Sequence, residues 1–232
     1  MQTFYRRAIM RLFTRRTDAI VSLTEKDAEF FRTHNYSRVY AIHNPMPEKK
    51  REIPAIRKKQ IVTVGNVNRG KGMDLLAEVA QRVLEKNPDW KWIVAGTGEM
   101  SGFLEAFIEE DGLQEGLILA GRVEDVDTLL AESSIFVLTS RSEGLPMCLL
   151  EAKVYRVPIV SFDIEMGPDE IITDGVNGYL IRPFDTEEMA EKLQMLMEDE
   201  KRRQQFSAQV SLGDEKFRIG TIIQQWNQIL VH

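Results

Sequence analysis

Two glutamates stand eight residues apart in the stretch "SRSEGLPMCLLEA", Ser140 to Ala152. Pro146 between them suits the first turn of a helix, where its missing N–H costs nothing. The amides around Gly144, Leu145 and Met147 would then face an anion. Glu143 falls in the loop before that helix, and Glu151 about one turn inside it. A carboxylate is repelled by a phosphate, but it accepts strong hydrogen bonds from hydroxyls. A nucleotide sugar carries hydroxyls on both sides of its diphosphate, on the ribose and on the sugar. The plainer alternative makes Glu143 a partner of the helix dipole and Glu151 a solvated surface residue. Taken singly, each glutamate fits that alternative better.

A second stretch, "VGNVNRGKG", runs from Val64 to Gly72. Its glycines, Gly65 among them, allow a ligand to approach the backbone. Arg69 and Lys71 add positive charge at a helix start, a combination that suits a diphosphate. It is not a Walker motif, because Lys71 is followed by Gly72 and Met73 instead of Ser or Thr. An ordinary strand–helix turn with solvated basic residues fits it equally well. "AGTGEM", with Gly96, reads first as a tight turn, and "AGRVEDV" brings Arg122 and Val123, where backbone groups could meet a flat base. His34, His43 and His232 do not cluster with carboxylates or with Cys148 at metal-ligand spacing, so no metal is expected. Cys148 reads as a packing residue in an apolar helix start.

These stretches need strands and helices to bring them together. The rhythm of the chain is strand then helix, repeated. "QIVTVGN", "KWIVAG", "GLILAG", "SIFVLTS" and "VPIVSF" are continuous apolar runs, with helical patterns such as "KGMDLLAEVAQRVLEKN" between them. Such runs predict a parallel sheet covered on both faces, an α/β Rossmann-like fold. Ligands of these sheets bind at the carboxyl ends of the strands, where the stretches above lie. "PMPEKKREIPAIRKK" is a linker by composition and sets a boundary near residue 45. Two helical stretches, "DTEEMAEKLQMLMEDEKRRQQFSAQV" and "DEKFRIGTIIQQWNQILVH", form the tail.

With 232 residues, 43% of them hydrophobic, the chain can bury one large core or two small ones. A net charge of −6 argues against nonspecific binding of nucleic acid. A single cysteine excludes a disulfide within the chain and fits a reducing compartment, the cytoplasm. No run approaches the roughly 20 apolar residues of a membrane span. Residues 1–16 hold five arginines and no acid, with Phe4, Tyr5, Ala8, Ile9, Leu12 and Phe13 at helical spacing. That segment reads as a basic amphipathic helix, packed on protein absent here or, less favoured, lying on an anionic membrane as a peripheral contact.

Taken in order, "VGNVNRGKGMDLL", "WIVAGTGE", "GRVEDV", "TSRSEGLPMCLLEAKVYRVPIVSFDI" and "GPDEIITDGVNGYLIRPFDTEEMAEKL" resemble the nucleotide-sugar domain of glycosyltransferase family 4, retaining enzymes of GT-B fold. "GPDEII" with "NGYL" is similar to the subset that builds bacterial surface polysaccharides, capsule or lipopolysaccharide. The resemblance implies one half of a GT-B fold at residues 46–232. It implies that residues 1–45 end an acceptor domain otherwise missing, so the chain is expected to be an inactive fragment. It gives Glu143 to the donor sugar, Glu151 to the ribose, and Lys71 to the diphosphate. The family's diphosphate arginine falls at Asn66, a departure, with Arg69 as its replacement; Arg156 stands where the family has glycine. The implied catalytic set is Glu143, Lys71 and Arg69. The implied donor-binding set adds Gly65, Asn66, Gly96, Arg122, Val123, Gly144, Leu145, Pro146, Met147 and Glu151. The implied donor is a nucleoside-diphosphate sugar, a UDP-sugar favoured, with no further cofactor and no metal. The acceptor would be a saccharide or lipid-linked. A binding module without transferase activity and another GT-B enzyme, such as a sugar epimerase, remain as alternatives.

Overall fold

The computed structural model describes residues 17–230, so the basic segment at residues 1–16 and His232 lie outside the described residues. The chain divides into two compact units, Met46–Asp214 and the residues flanking it on both sides. In the flanking unit, strand β1 (Ile20–Ser22) pairs in parallel with β2 (Val39–Ala41). Helix α1 (Glu25–Thr33) connects them. It is capped by Thr24, whose Oγ1 accepts from the Asp27 amide at 3.2 Å, an interaction legible in "TEKD".

The larger unit is built on six parallel strands: β3 (Gln60–Val64), β4 (Lys91–Ala95), β5 (Leu117–Gly121), β6 (Ile135–Leu138), β7 (Ile159–Phe162) and β8 (Gly178–Ile181). Their spatial order is β5-β4-β3-β6-β7-β8. The helices between them are α2 (Met73–Leu84), α3 (Ser101–Glu110), α4 (Val126–Glu132), α5 (Met147–Val154) and the single turn α6 (Pro168–Ile171). After β8 come α7 (Thr186–Glu198) and α8 (Glu200–Gln209), and helix α9 (Ile219–Leu230) belongs to the flanking unit.

Alternation along the strands supplies both faces. Ile61, Trp92, Val94, Val137, Val160 and Phe162 join one cluster with Leu76, Val79 and Val83 of α2 and Leu193 and Leu196 of α7. Val62, Phe136, Leu138 and Ile159, equally buried, point to the other face, where α4 and α5 bury Leu130, Leu149 and Leu150. Thr63, a polar group within the core, is satisfied on both sides. Thr63 Oγ1 donates to the Val137 carbonyl at 2.9 Å and accepts from Trp92 Nε1 at 3.1 Å.

Two elements were not evident from periodicity. β8 is a four-residue run, "GYLI", too short to stand out until its neighbour β7 pairs with it. The long helical stretch after Asp185 breaks at Asp199, whose side chain accepts from the Arg202 amide and caps a new helix.

The end of α5 explains the unusual Arg156. The Val157 amide donates to the Ala152 carbonyl at 3.1 Å and the Arg156 amide to Lys153 at 2.9 Å, a Schellman closure. That closure demands left-handed backbone, and Arg156 adopts φ 52°. The carbonyls beyond the helix end are held by the Arg57 guanidinium, whose pKa burial lowers to about 10. Arg156→Gly is expected to raise stability by about 0.5–1 kcal/mol, relief of left-handed strain outweighing glycine's greater unfolded entropy. Urea denaturation checks it, and a loss of stability would contradict it.

Candidate functional site

The strand order reverses between β3 and β6, where doubly wound sheets open a crevice at the carboxyl ends of their strands. The loops leaving β3 and β6 meet there and are stitched together. Thr139 Oγ1 donates to the Lys71 carbonyl at 2.9 Å, and the Arg141 amide to the Gly70 carbonyl at 2.8 Å. The Lys71 amide donates to Asn68 Oδ1 at 2.8 Å, a side-chain turn that shapes the loop from within. Gly72 has φ 69°, and a Cβ there would stand 2.0 Å from the Thr139 carbonyl oxygen. Only glycine lets the loops come this close.

The closure brings Lys71 and Glu143 together although 72 positions separate them: Nζ lies 2.6 Å from Oε1. Their side chains are 25% and 11% exposed, so the pair is substantially shielded from water. Arg69 is exposed, and its guanidinium has no partner among the described residues; Asn66 is also exposed. Glu151 sits just over one turn into α5, half-buried. Burial raises its pKa, the charge of Asp127 raises it further, and Lys50 opposes them. Asp127 is itself held, accepting from the Tyr155 hydroxyl at 2.7 Å. Cys148 lies between the two glutamates in sequence and feels both. Burial pushes its thiol up to about 12, Lys71 opposes, and Glu143 and Glu151 add to the rise. A thiol so protonated at neutral pH is a packing group and a poor nucleophile.

The remaining candidates line the same edge of the sheet. Pro146 occupies the N-cap position, one residue before α5, with φ −72° and ψ 101°. Leu145 and Pro146 are buried, Gly144 exposed, and Met147 half-buried. The amides of Gly144, Leu145 and Met147 find no backbone acceptor among the described residues. Gly167, at φ 102°, braces this loop from behind: a Cβ would meet the Gly144 carbonyl oxygen at 2.4 Å. Gly96 follows β4 and donates to the Gly121 carbonyl at 2.7 Å, while Arg122 and Val123 leave β5, an outer strand of the sheet. The Ser140 hydroxyl, at the end of β6, is buried and has no hydrogen-bond partner among the described residues. No group of three His, Cys, Asp or Glu among the described residues could hold a metal ion. No helix among them is long and apolar enough to cross a membrane.

Sequence reasoning missed the stitching residues Arg141, Asp74, Asn68 and Thr139. Asn68, three residues before Lys71, carried a short-range turn signal. Arg141 and Asp74 each look solvated alone, and only the fold pairs them, at 2.7 and 2.8 Å.

This architecture is the α/β fold of GT-B glycosyltransferase structures, a parallel sheet flanked by helices. Residues 46–211 match the family described as glycosyl transferases group 1, and the chain belongs to that family. An uncharacterized glycosyltransferase of Haemophilus influenzae is 32% identical over 220 residues, covering 92% of this chain and 61% of the relative. A poly(ribitol-phosphate) alpha-N-acetylglucosaminyltransferase of Staphylococcus aureus is 30% identical over 167 residues, covering 70% of this chain and 34% of its own. Among solved structures, a point mutant of S. aureus TarM in complex with fondaparinux, alpha-GlcNAc-glycerol and UDP superposes with a TM-score of 0.87 at 24% identity. That match covers 93% of this chain and 44% of TarM. The chain thus spans less than two thirds of the length of each of these proteins.

Proposed function

We propose that the donor-binding part of a retaining, family 4 glycosyltransferase is Met46–Asp214, shorter than the 46–232 expected from the sequence because the C-terminal helix groups with the flanking unit. It would move a sugar from a UDP-sugar to a saccharide or lipid-linked acceptor in bacterial surface-polysaccharide synthesis. The observation that carries this reading is the Lys71–Glu143 contact at the switch point, with Glu151 eight residues further on. An ammonium has three donors, so Lys71 can keep Glu143 and still meet a phosphate oxygen. Glu143 then accepts from a sugar hydroxyl, and Glu151 from the ribose. The bond from the anomeric carbon to the diphosphate breaks as the acceptor hydroxyl attacks from the same face and gives its proton to the departing diphosphate oxygen. Lys71, Arg69 and the amides before α5 stabilise the departing charge in place, which is electrostatic preorganisation. The TarM complex with UDP and the S. aureus relative named for poly(ribitol-phosphate) support the donor class and the surface-polymer setting.

Calorimetry of this chain with UDP, GDP and ADP tests the reading. UDP binding is expected, with no sugar transfer by the chain alone. A folded chain that binds none of the three at millimolar concentration would overturn the donor assignment. Within it, Glu151→Ala should weaken bare UDP by about tenfold, the loss of one or two charge-assisted hydrogen bonds. Glu143→Ala should matter chiefly once a sugar is attached. Equal losses on bare UDP would contradict this division.

A further inference from the structure

Arg141 stands two residues before Glu143, yet every donor contact described for it goes to the loop that carries Arg69 and Lys71 or to the first turn of α2 beyond it. Its amide donates to the Gly70 carbonyl at 2.8 Å, and its Nη1 to the Arg69 carbonyl at 2.9 Å. The two ends of its guanidinium take the two Asp74 oxygens at 2.7 and 2.8 Å. Asp74 lies in the first turn of α2. One residue on the β6 loop therefore grips the chain on both sides of Lys71, the β3 loop before it and the start of α2 after it. The hold is a bidentate fork, the geometry that a guanidinium supplies and an ammonium cannot. Arg141 is 29% exposed and Asp74 30%, so the fork is partly sheltered from competing water. The Asp74 pKa is lowered, first by its hydrogen bond from Arg141, so the carboxylate stays charged.

From this geometry we propose that Arg141 is a positioning residue for the diphosphate. Clamped by Asp74, its own charge is neutralised. It acts by fixing where the backbone aims Arg69 and Lys71, and by tying that aim to the segment bearing Glu143. The proposal rests on the donor-site reading above. The clamp matters more here because position 66 is a neutral asparagine. Arg69, exposed and without a side-chain partner, is then directed only through its backbone, and Arg141 holds its carbonyl.

The test compares UDP with UMP on this chain by calorimetry, since UMP lacks the second phosphate. Arg141→Gln is expected to lower UDP affinity about tenfold while leaving UMP nearly unchanged, so the UDP-to-UMP ratio collapses. Arg141→Lys, which keeps the charge and loses the fork, should do nearly the same. Asp74→Asn, which leaves Arg141 its carbonyl contacts, should fall between these variants and the wild type. Thermal melts run alongside: a merely structural role would lower the melting temperature and leave the ratio alone. An unchanged ratio in folded Arg141→Gln, with the wild type binding UDP, overturns this proposal and spares the donor reading. A wild type that binds no UDP sinks both.

Discussion

On the donor reading proposed above, replacing Lys71 with alanine is expected to slow sugar transfer, in an enzyme that joins this chain to an acceptor domain, about 100-fold or more, equivalent to about 2.7 kcal/mol of transition-state stabilisation. Two losses combine. The departing diphosphate loses a fixed cation at the switch point. Glu143, 11% exposed and 2.6 Å from that cation, is left as an unpaired carboxylate beside an anionic donor. Arg69→Ala should cost less, because Arg69 is exposed and its removal strands no carboxylate. The Glu143→Gln change made on top of Lys71→Ala should recover part of the UDP affinity by removing the stranded charge. Steady-state rates with donor varied, and UDP calorimetry on each variant, separate these contributions. Full activity in a folded Lys71→Ala enzyme would remove Lys71 from the diphosphate site.

Gly72→Ala should be among the most disruptive single methyls in the region. The new Cβ would lie 2.0 Å from the Thr139 carbonyl oxygen and 2.9 Å from its carbon, both backbone atoms that no rotamer change can move aside. The φ of 69° adds a left-handed penalty of about 1–2 kcal/mol. Parting the loops also strains the Thr139–Lys71 hydrogen bond of 2.9 Å. The expected loss of stability is about 2–4 kcal/mol, read by urea denaturation, with UDP affinity falling as Lys71 moves from Glu143. Gly70→Ala is the control. Its Cβ would meet only the Asn68 side chain at 3.3 Å, without a positive-φ penalty, so its effect should be small. Equal stability for Gly72→Ala and wild type would show that the loops do not need their close approach.

The α/β class was legible in the sequence because strands buried on both faces read as near-continuous apolar runs such as "IFVL". The Thr24 cap has the same local origin, its hydroxyl accepting from the amide three residues on. The candidate stretches were visible too, since they follow strands. β8 was not legible, because four residues carry no period and its pairing with β7 is a long-range fact. The departure at Arg156 could be noted in the sequence but not understood; its φ of 52° at a helix end supplies the reason.

By itself, then, the sequence determined what is written in neighbouring residues: the layered α/β class, the helix starts, and a set of charged and glycine positions at strand ends. Tertiary structure decided which of those positions meet. Strand order puts the β3 and β6 loops side by side, and neither a hydrophobic period nor a cap encodes strand order. From that adjacency come the Lys71–Glu143 pair, the Arg141–Asp74 fork and the glycine at 72 that lets the loops touch. Each joins residues more than sixty positions apart, and only packing the whole sheet brings such distant side chains within hydrogen-bond reach.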